Sequence, residues 1–226
     1  MKPIALVFGG SRGIGAACVD ALKNEFDVAF TSVSGSAGHK VDIQNAEEVK
    51  DVFESVEKQY GRKVDCVVVN AGINVPPGPM AQFDAGIFRK LVDVNIVGAF
   101  NVLGEAARRV ADGGSIIALS TSLVRHAAPG LGPYSATKAA VESLARSMAK
   151  ELAPRKVRVN CVAPGPVDTD LFHAGKTDEA KARMAALSPL NRIGQPKEVA
   201  EVVAFLASSR ASWIQGQVVQ PNGGMI

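Results

Sequence analysis

The amino-acid sequence predicts an α/β fold, a doubly wound parallel sheet in a single domain over residues 1–226, with helices on both faces. Three observations predict it. Short runs that are apolar at every position alternate with segments of helical spacing along the whole chain. Continuous rather than alternating apolar strands are buried on both faces, as parallel strands under helices are. No internal repeat, low-complexity tract or linker interrupts the alternation. Right-handed crossovers then wind the sheet outward in both directions.

Each element has its own signal. Ile4 to Phe8 is an apolar run closed by Gly9 and Gly10, a buried strand ending in a turn. Ile14 to Asn24 follows with Ile14, Cys18, Ala21 and Leu22 at helical spacing. Val28 to Val33 is a second strand. Only Ser34-Gly35-Ser36-Ala37-Gly38-His39-Lys40 separates it from Val41-Asp42. That is too short and glycine-rich for a crossover helix of about ten residues, so a loop or single turn is expected. Asn45 caps a helix to Tyr60 that aligns Val49, Val52, Phe53 and Val56. Val64 to Val69 is a strand, Ile87 to Val110 a helix or helix pair, and Ile116 to Leu119 a strand. Tyr134 to Leu152 is a periodic helix stopped near Pro154. Val157 to Val162 is a strand, Lys197 to Ala207 a helix and Gln217 to Val219 a last short strand.

Composition narrows the function classes. A chain of 226 residues buries roughly 70% of its unfolded surface, and 47% hydrophobic with 21% charged residues is ordinary for a globular protein. The net charge of +3 is scattered, and only 5% of residues are aromatic, so no nucleic-acid partner is expected. Five apolar residues after Met1-Lys2-Pro3 are too few for a signal-peptide core, and no run reaches membrane-spanning length. Cys18, Cys66 and Cys161 lie in apolar stretches without metal-ligand spacing, which fits buried thiols in a reducing compartment. No metal site and a cytoplasmic location are therefore expected.

Chemistry enters at the first strand–helix junction, Gly9-Gly10-Ser11-Arg12-Gly13-Ile14-Gly15. Glycines there let backbone approach a pyrophosphate, and the helix N-terminus offers free N–H groups and positive partial charge. Gly9, Ser11, Arg12, Gly13, Ile14 and Gly15 are thus candidate cofactor residues. The second strand ends Thr31-Ser32-Val33-Ser34, without the acid that would bond a ribose 2′-hydroxyl. Arg12 with the hydroxyls of Thr31 and Ser32 suits a 2′-phosphate instead. NADP(H) is expected rather than NAD(H).

Tyr134 and Lys138 are four residues apart and share one face of their helix. A free phenol with a pKa of about 10 is a weak acid–base group at neutral pH, and a neighbouring ammonium favours the phenolate and brings it nearer the working range.

Taken together, Gly9 to Gly15, Asp42-Ile43, Asn70-Ala71-Gly72, Asn95, Tyr134 to Lys138, Pro164-Gly165 and Asn222-Gly223-Gly224 resemble the short-chain dehydrogenase/reductase family in order and spacing. Arg192 to Pro196 and Phe205 to Ser208 resemble its C-terminal region. Among its members the chain most resembles bacterial 3-oxoacyl-carrier-protein reductases. The resemblance implies a Rossmann fold and hydride transfer between a nicotinamide and a small-molecule carbonyl or secondary alcohol. It makes Tyr134 the general acid/base and Lys138 the holder of the nicotinamide ribose. Asn95 anchors a water leading from Lys138, Asp42 and Ile43 contact adenine, and Asn70, Ala71 and Gly72 line the adenosine ribose. Pro164, Gly165, Val167 and Thr169 cover the nicotinamide.

The substrate-orienting hydroxyl falls thirteen residues before Tyr134, on Thr121, with Ser122 as the alternative if the loop shifts by one. Two departures, Val69-Asn70 in place of paired asparagines and Phe8 where threonine is common, fall on scaffold positions. Leu123 to Ala128 and Leu171 to Leu187 border the substrate pocket, the second as a lid. Within the first, Arg125 reads as a solvated loop arginine rather than a partner for an anionic substrate, and His126 as a packing or substrate-edge residue. Small residues Ala136, Ala139, Ala140 and Ala145 suit close helix packing in a homodimer or homotetramer, as in the family. Two other functions use the same fold: a non-catalytic nucleotide sensor, and an isomerase or dehydratase with no net cofactor consumption.

Overall fold

The computed structural model describes residues 1–35, 37–174 and 176–226. Ser36, in the expected loop, and Gly175, in the expected lid, lie outside the described residues. Strands β1 (Ile4–Phe8), β2 (Asp27–Ser32), β3 (His39–Lys40), β4 (Cys66–Val69), β5 (Ser115–Leu119), β6 (Arg158–Val162) and β7 (Val218–Val219) form a seven-stranded sheet. Its order is β3-β2-β1-β4-β5-β6-β7, and every neighbouring pair is parallel. This is the doubly wound sheet that the apolar runs predict.

The helices are α1 (Gly13–Leu22), α2 (Ala46–Tyr60), α3 (Ala85–Val92), α4 (Ala99–Arg109), α5 (Leu123–His126), α6 (Gly132–Glu151), α7 (Asp170–His173), α8 (Asp178–Ala185) and α9 (Pro196–Ala207). Strand side chains divide by parity between two cores. Ile4, Leu6 and Phe8 meet α2, α4 and α6 on one face, where Phe8 packs against Phe53. Ala5 and Val7 meet α1 and α9 on the other. Burying each such side chain contributes about 2 kcal/mol, so the two layers fix where the strand ends lie. Local chemistry sets the helix ends: the Asn45 side chain accepts from the Glu47 and Glu48 N–H groups, and Gly61 closes α2 in the left-handed region. Gln195 and Glu198 form a capping box ahead of α9, with Pro196 in its first turn.

Three features depart from the sequence reading. Among its described residues the loop after β2 contains no helix, as expected, but it ends in β3, a two-residue edge strand that pairs Thr31 with His39 and Ser32 with Lys40. The segment Ile87 to Val110 is α3 and α4 joined by a π-helical turn, Asp93–Gly98. Its wider winding turns Asn95 inward to 1% exposure and brings Gly98 onto Ile43, where an added Cβ would lie 2.7 Å from Ile43 Cδ1. The expected lid is largely helical, as α7 and α8. Among the described residues no helix is long and apolar enough to cross a membrane.

Candidate active site

The carboxyl edge of the sheet, where β1 and β4 diverge, carries the glycine turn. Gly9 has φ +80°, and an added Cβ there would lie 2.9 Å from the Ala71 backbone. A Cβ on Gly15 would lie 1.9 Å from the Gly9 carbonyl oxygen and 2.5 Å from Asn70 Nδ2. That amide donates to the same Gly9 oxygen at 2.8 Å, while Asn70 and Ala71 N–H both reach Phe8 C=O. Asn70 and Ala71 thus brace the turn from β4. Arg12 stands at the N-cap of α1 without a side-chain cap, and the first turn holds no acid. The N–H groups of that turn remain available to an anion. Ser11 and Arg12 are exposed, Gly13 and Ile14 half-buried, and the Arg12 guanidinium has no ion pair among the described residues. A cradle built of missing Cβ atoms, with an uncapped helix end and a free cation, fits a dinucleotide phosphate group.

The β2 hydroxyls do not serve as the sequence reading expects. Thr31 is 1% exposed and its Oγ1 accepts from Gly9 N–H at 3.1 Å. Ser32 donates to Ala37 C=O and accepts from Gly35 N–H. Ser32 is spent on the loop, and Thr31, buried against the Gly9 N–H it accepts from, is turned into the glycine turn rather than toward a ligand. Against that loop lies a group the sequence reading missed: the aliphatic stem of Lys40, 2.9 Å from where a Gly35 Cβ would sit. Its signal, a cation one edge strand away, needs the β2–β3 register to be seen. Asp42 is half-buried, its carboxylate accepting from Gln44. The Ile43 side chain is buried in the core and its C=O accepts from Asn101, so only its backbone edge is left toward an adenine.

α6 carries Tyr134 and Lys138 one turn apart, with Pro133 in its first turn. The Tyr134 ring is half-buried and its hydroxyl has no hydrogen-bond partner among the described residues. Burial pushes the phenol up to about 12. Burial alone accounts for that rise, so the downward pull expected from the ammonium is not seen, and burial pushes Lys138 itself down to about 8. Lys138 is 7% exposed, and its Nζ donates to Leu119 C=O at 2.9 Å. Asn95 clamps the Ile73 peptide from both sides: Nδ2 donates to its C=O at 2.9 Å and Oδ1 accepts from its N–H at 2.8 Å. Nδ2 also reaches Thr137 Oγ1. Asn95 Oδ1 and Lys138 Nζ flank Gly72, at 3.1 and 3.4 Å from where its Cβ would be. The π turn, β4 exit and α6 therefore converge on one point.

The two candidate hydroxyls are separated by their bonding. Ser122 is 1% exposed; it donates to Ala163 C=O and accepts from Asn222 Nδ2, so its oxygen ties β5 to β6 and the C-terminal tail. Thr121, 8% exposed, accepts from Leu123 N–H at 3.3 Å, its one side-chain bond among the described residues, and keeps its own O–H to give. Across the crevice Pro164 accepts from Ser122 N–H, and a Cβ added to Gly165 would lie 3.0 Å from Asn222. Val167 is buried, and Thr169 faces Gly13 and caps α7. A two-way bridge, Asp168 N–H to Gly194 C=O and Gly194 N–H to Pro166 C=O, ties together the two ends of the segment holding α7 and α8. His173 bonds Asp168 at 2.6 Å on its outer side. Arg125 is exposed and His126 half-buried on α5.

This arrangement, a glycine turn facing a tyrosine–lysine helix across the ends of a parallel sheet, has relatives. A family model described as enoyl-(acyl carrier protein) reductase matches residues 9–226. The chain belongs to the short-chain dehydrogenase/reductase family and is an oxidoreductase of that family. It is 41% identical over 190 residues to a short-chain type dehydrogenase/reductase of Picea abies, covering 83% of this chain and 70% of that one. An NADPH-dependent aldehyde reductase of Arabidopsis thaliana is 35% identical, covering 99% of this chain and 93% of its own. The 3-oxoacyl-(acyl-carrier-protein) reductase of Thermotoga maritima is also 35% identical, covering 99% and 97%. Among solved structures, a short-chain dehydrogenase/reductase from Serratia marcescens superposes with a TM-score of 0.88 at 31% identity, covering 99% and 97%.

Proposed function

We propose that this chain is an NADP(H)-dependent reductase of small-molecule aldehydes or ketones, with Tyr134 as the proton donor. The observation that carries the reading is a phenol with no hydrogen-bond partner among the described residues, one helical turn from a buried ammonium bonded to Leu119 C=O. When bound, the nicotinamide supplies the hydride. The glycine turn and the first turn of α1 would hold its pyrophosphate, and Arg12 with Lys40 would hold the 2′-phosphate. Lys138 would hold the nicotinamide ribose. Thr121 would give its O–H to the substrate carbonyl oxygen while Tyr134 delivers a proton to the same atom. The phenol is protonated at neutral pH and is ready to act as a proton donor. Two relatives with NADPH or 3-oxoacyl substrates in their names support the cofactor and the carbonyl class.

Exposed Phe88, Val97 and Phe100 on α3, the π turn and α4 support a homodimer or homotetramer. The function is tested by nicotinamide absorbance with benzaldehyde, ethyl acetoacetate and cyclohexanone, using NADPH and NADH in parallel. Turnover with NADPH preferred supports it. Preference for NADH overturns the cofactor assignment, and tight NADPH binding without turnover leaves a nucleotide-binding protein.

A further inference from the structure

Beneath the Tyr134–Lys138 pair, α6 carries a polar residue that the proposed chemistry does not use. Glu142 stands one turn beyond Lys138 and is 6% exposed, a costly place for a carboxylate without partners. Its Oε1 accepts a hydrogen bond of 2.6 Å from the hydroxyl of Ser120, which is itself 5% exposed. Its Oε2 lies 3.6 Å from Arg146, one further turn along and largely in solvent. The Cys161 thiol on β6 registers the same group of charges. It is pushed up to about 12 by burial and then by Glu142, while Arg146 and Lys138 act the other way.

Two consecutive residues at the end of β5 are therefore gripped from α6. Leu119 is held through its C=O by Lys138, and Ser120 through its hydroxyl by Glu142. Ser120 N–H is held in turn by Val162 C=O at 2.7 Å. The next residue is Thr121. Two grips one residue apart leave the strand exit no freedom to slide or rotate against the helix. Thr121 and Tyr134 are therefore fixed relative to each other, although no bond joins them.

We propose that Glu142 is a positioning residue that acts through Ser120 to set the Thr121 hydroxyl in place at the exit of β5. The proposal rests on the functional reading above. It is tested with Glu142→Leu, Glu142→Gln, Ser120→Ala and the Ser120→Ala/Glu142→Leu double variant, by kinetics with NADPH and benzaldehyde and by crystal structures. Loss of the grip should lower kcat on the order of tenfold in Glu142→Leu and in Ser120→Ala, since small misplacements of reacting groups are costly. NADPH affinity should stay within about twofold, and the double variant should be no worse than the worse single one, because both remove the same contact. Glu142→Gln keeps an oxygen for the Ser120 O–H and should retain kcat within about threefold.

In crystals, residues 119–122 should shift in Glu142→Leu and hold in Glu142→Gln. An unchanged kcat in Glu142→Leu overturns the proposal, as does an equal loss in Glu142→Gln or an unmoved strand exit. A parallel fall in NADPH affinity, melting temperature and kcat overturns it too, by making Glu142 merely structural. A wild-type chain that reduces none of the three carbonyl compounds overturns the functional reading instead, and the crystal comparison still decides whether Glu142 sets the strand exit.

Discussion

Lys138→Met should stabilise the protein while abolishing its turnover. Lys138 is 7% exposed, and burial lowers its pKa from 10.5 to about 8. At about 1.4 kcal/mol per unit, keeping that ammonium charged inside the fold costs about 3 kcal/mol at pH 7. The substitution also removes the bond to Leu119 C=O, worth about 1 kcal/mol. The net gain of about 2 kcal/mol corresponds to a rise in melting temperature of about 4–8 °C for a chain of this size. The sign follows from linkage. The folded-state pKa lies below the unfolded one, so the unfolded chain binds more protons between them. The penalty is full below pH 8 and fades as pH rises toward 10.5. Thermal melts of the cofactor-free protein at pH 7 and pH 10 read it directly. The variant should melt higher at pH 7, and the gap should close at pH 10. A variant that melts lower than wild type at pH 7, or keeps its advantage at pH 10, refutes the reasoning. A variant that melts higher at pH 7 and not at pH 10 shows the lysine held for function against stability.

Other outcomes follow from the same geometry. Arg12→Ala should weaken NADPH binding on the order of tenfold or more and leave NADH nearly unaffected, because only the former carries the 2′-phosphate that the guanidinium would hold; equal losses by titration would remove Arg12 from the 2′-phosphate site. Thr121→Ala should cut kcat about a hundredfold with the melting temperature kept, since it removes a donor aimed at the reacting oxygen. Ser122→Ala should do the reverse. It leaves Ala163 C=O and Asn222 Nδ2 without their partner, costing about 1–3 kcal/mol of stability with kcat nearly intact. Kinetics and melts of the two variants side by side check both, and a kcat loss in Ser122→Ala exceeding that in Thr121→Ala would exchange their roles.

The sheet was legible because its strands carry apolar residues at every position, and Ile4 to Phe8 or Ile116 to Leu119 admit little else. The edge strand His39–Lys40 was not, since two polar residues have no periodicity to read. The π turn was equally silent: a single extra residue in a winding leaves no pattern in Asp93–Gly98, yet it turns Asn95 inward. Tyr134, Lys138 and the glycines could be named from spacing along one helix and one turn. What spacing could not decide was how each hydroxyl spends its hydrogen bonds. Thr31, Ser32 and Ser122 look like free ligands in sequence and are bound to backbone in the fold. Ser120 and Glu142 are twenty-two residues apart, and their bond exists only once α6 lies on β5.

Tyr134→Phe bears most directly on the central claim. The phenol has no hydrogen-bond partner among the described residues, so removing its oxygen should leave the melting temperature and NADPH affinity unchanged. Turnover of the best carbonyl substrate should fall by about a hundredfold or more, the range lost with a positioned acid. A variant that still reduces that substrate at close to the wild-type rate would contradict the account.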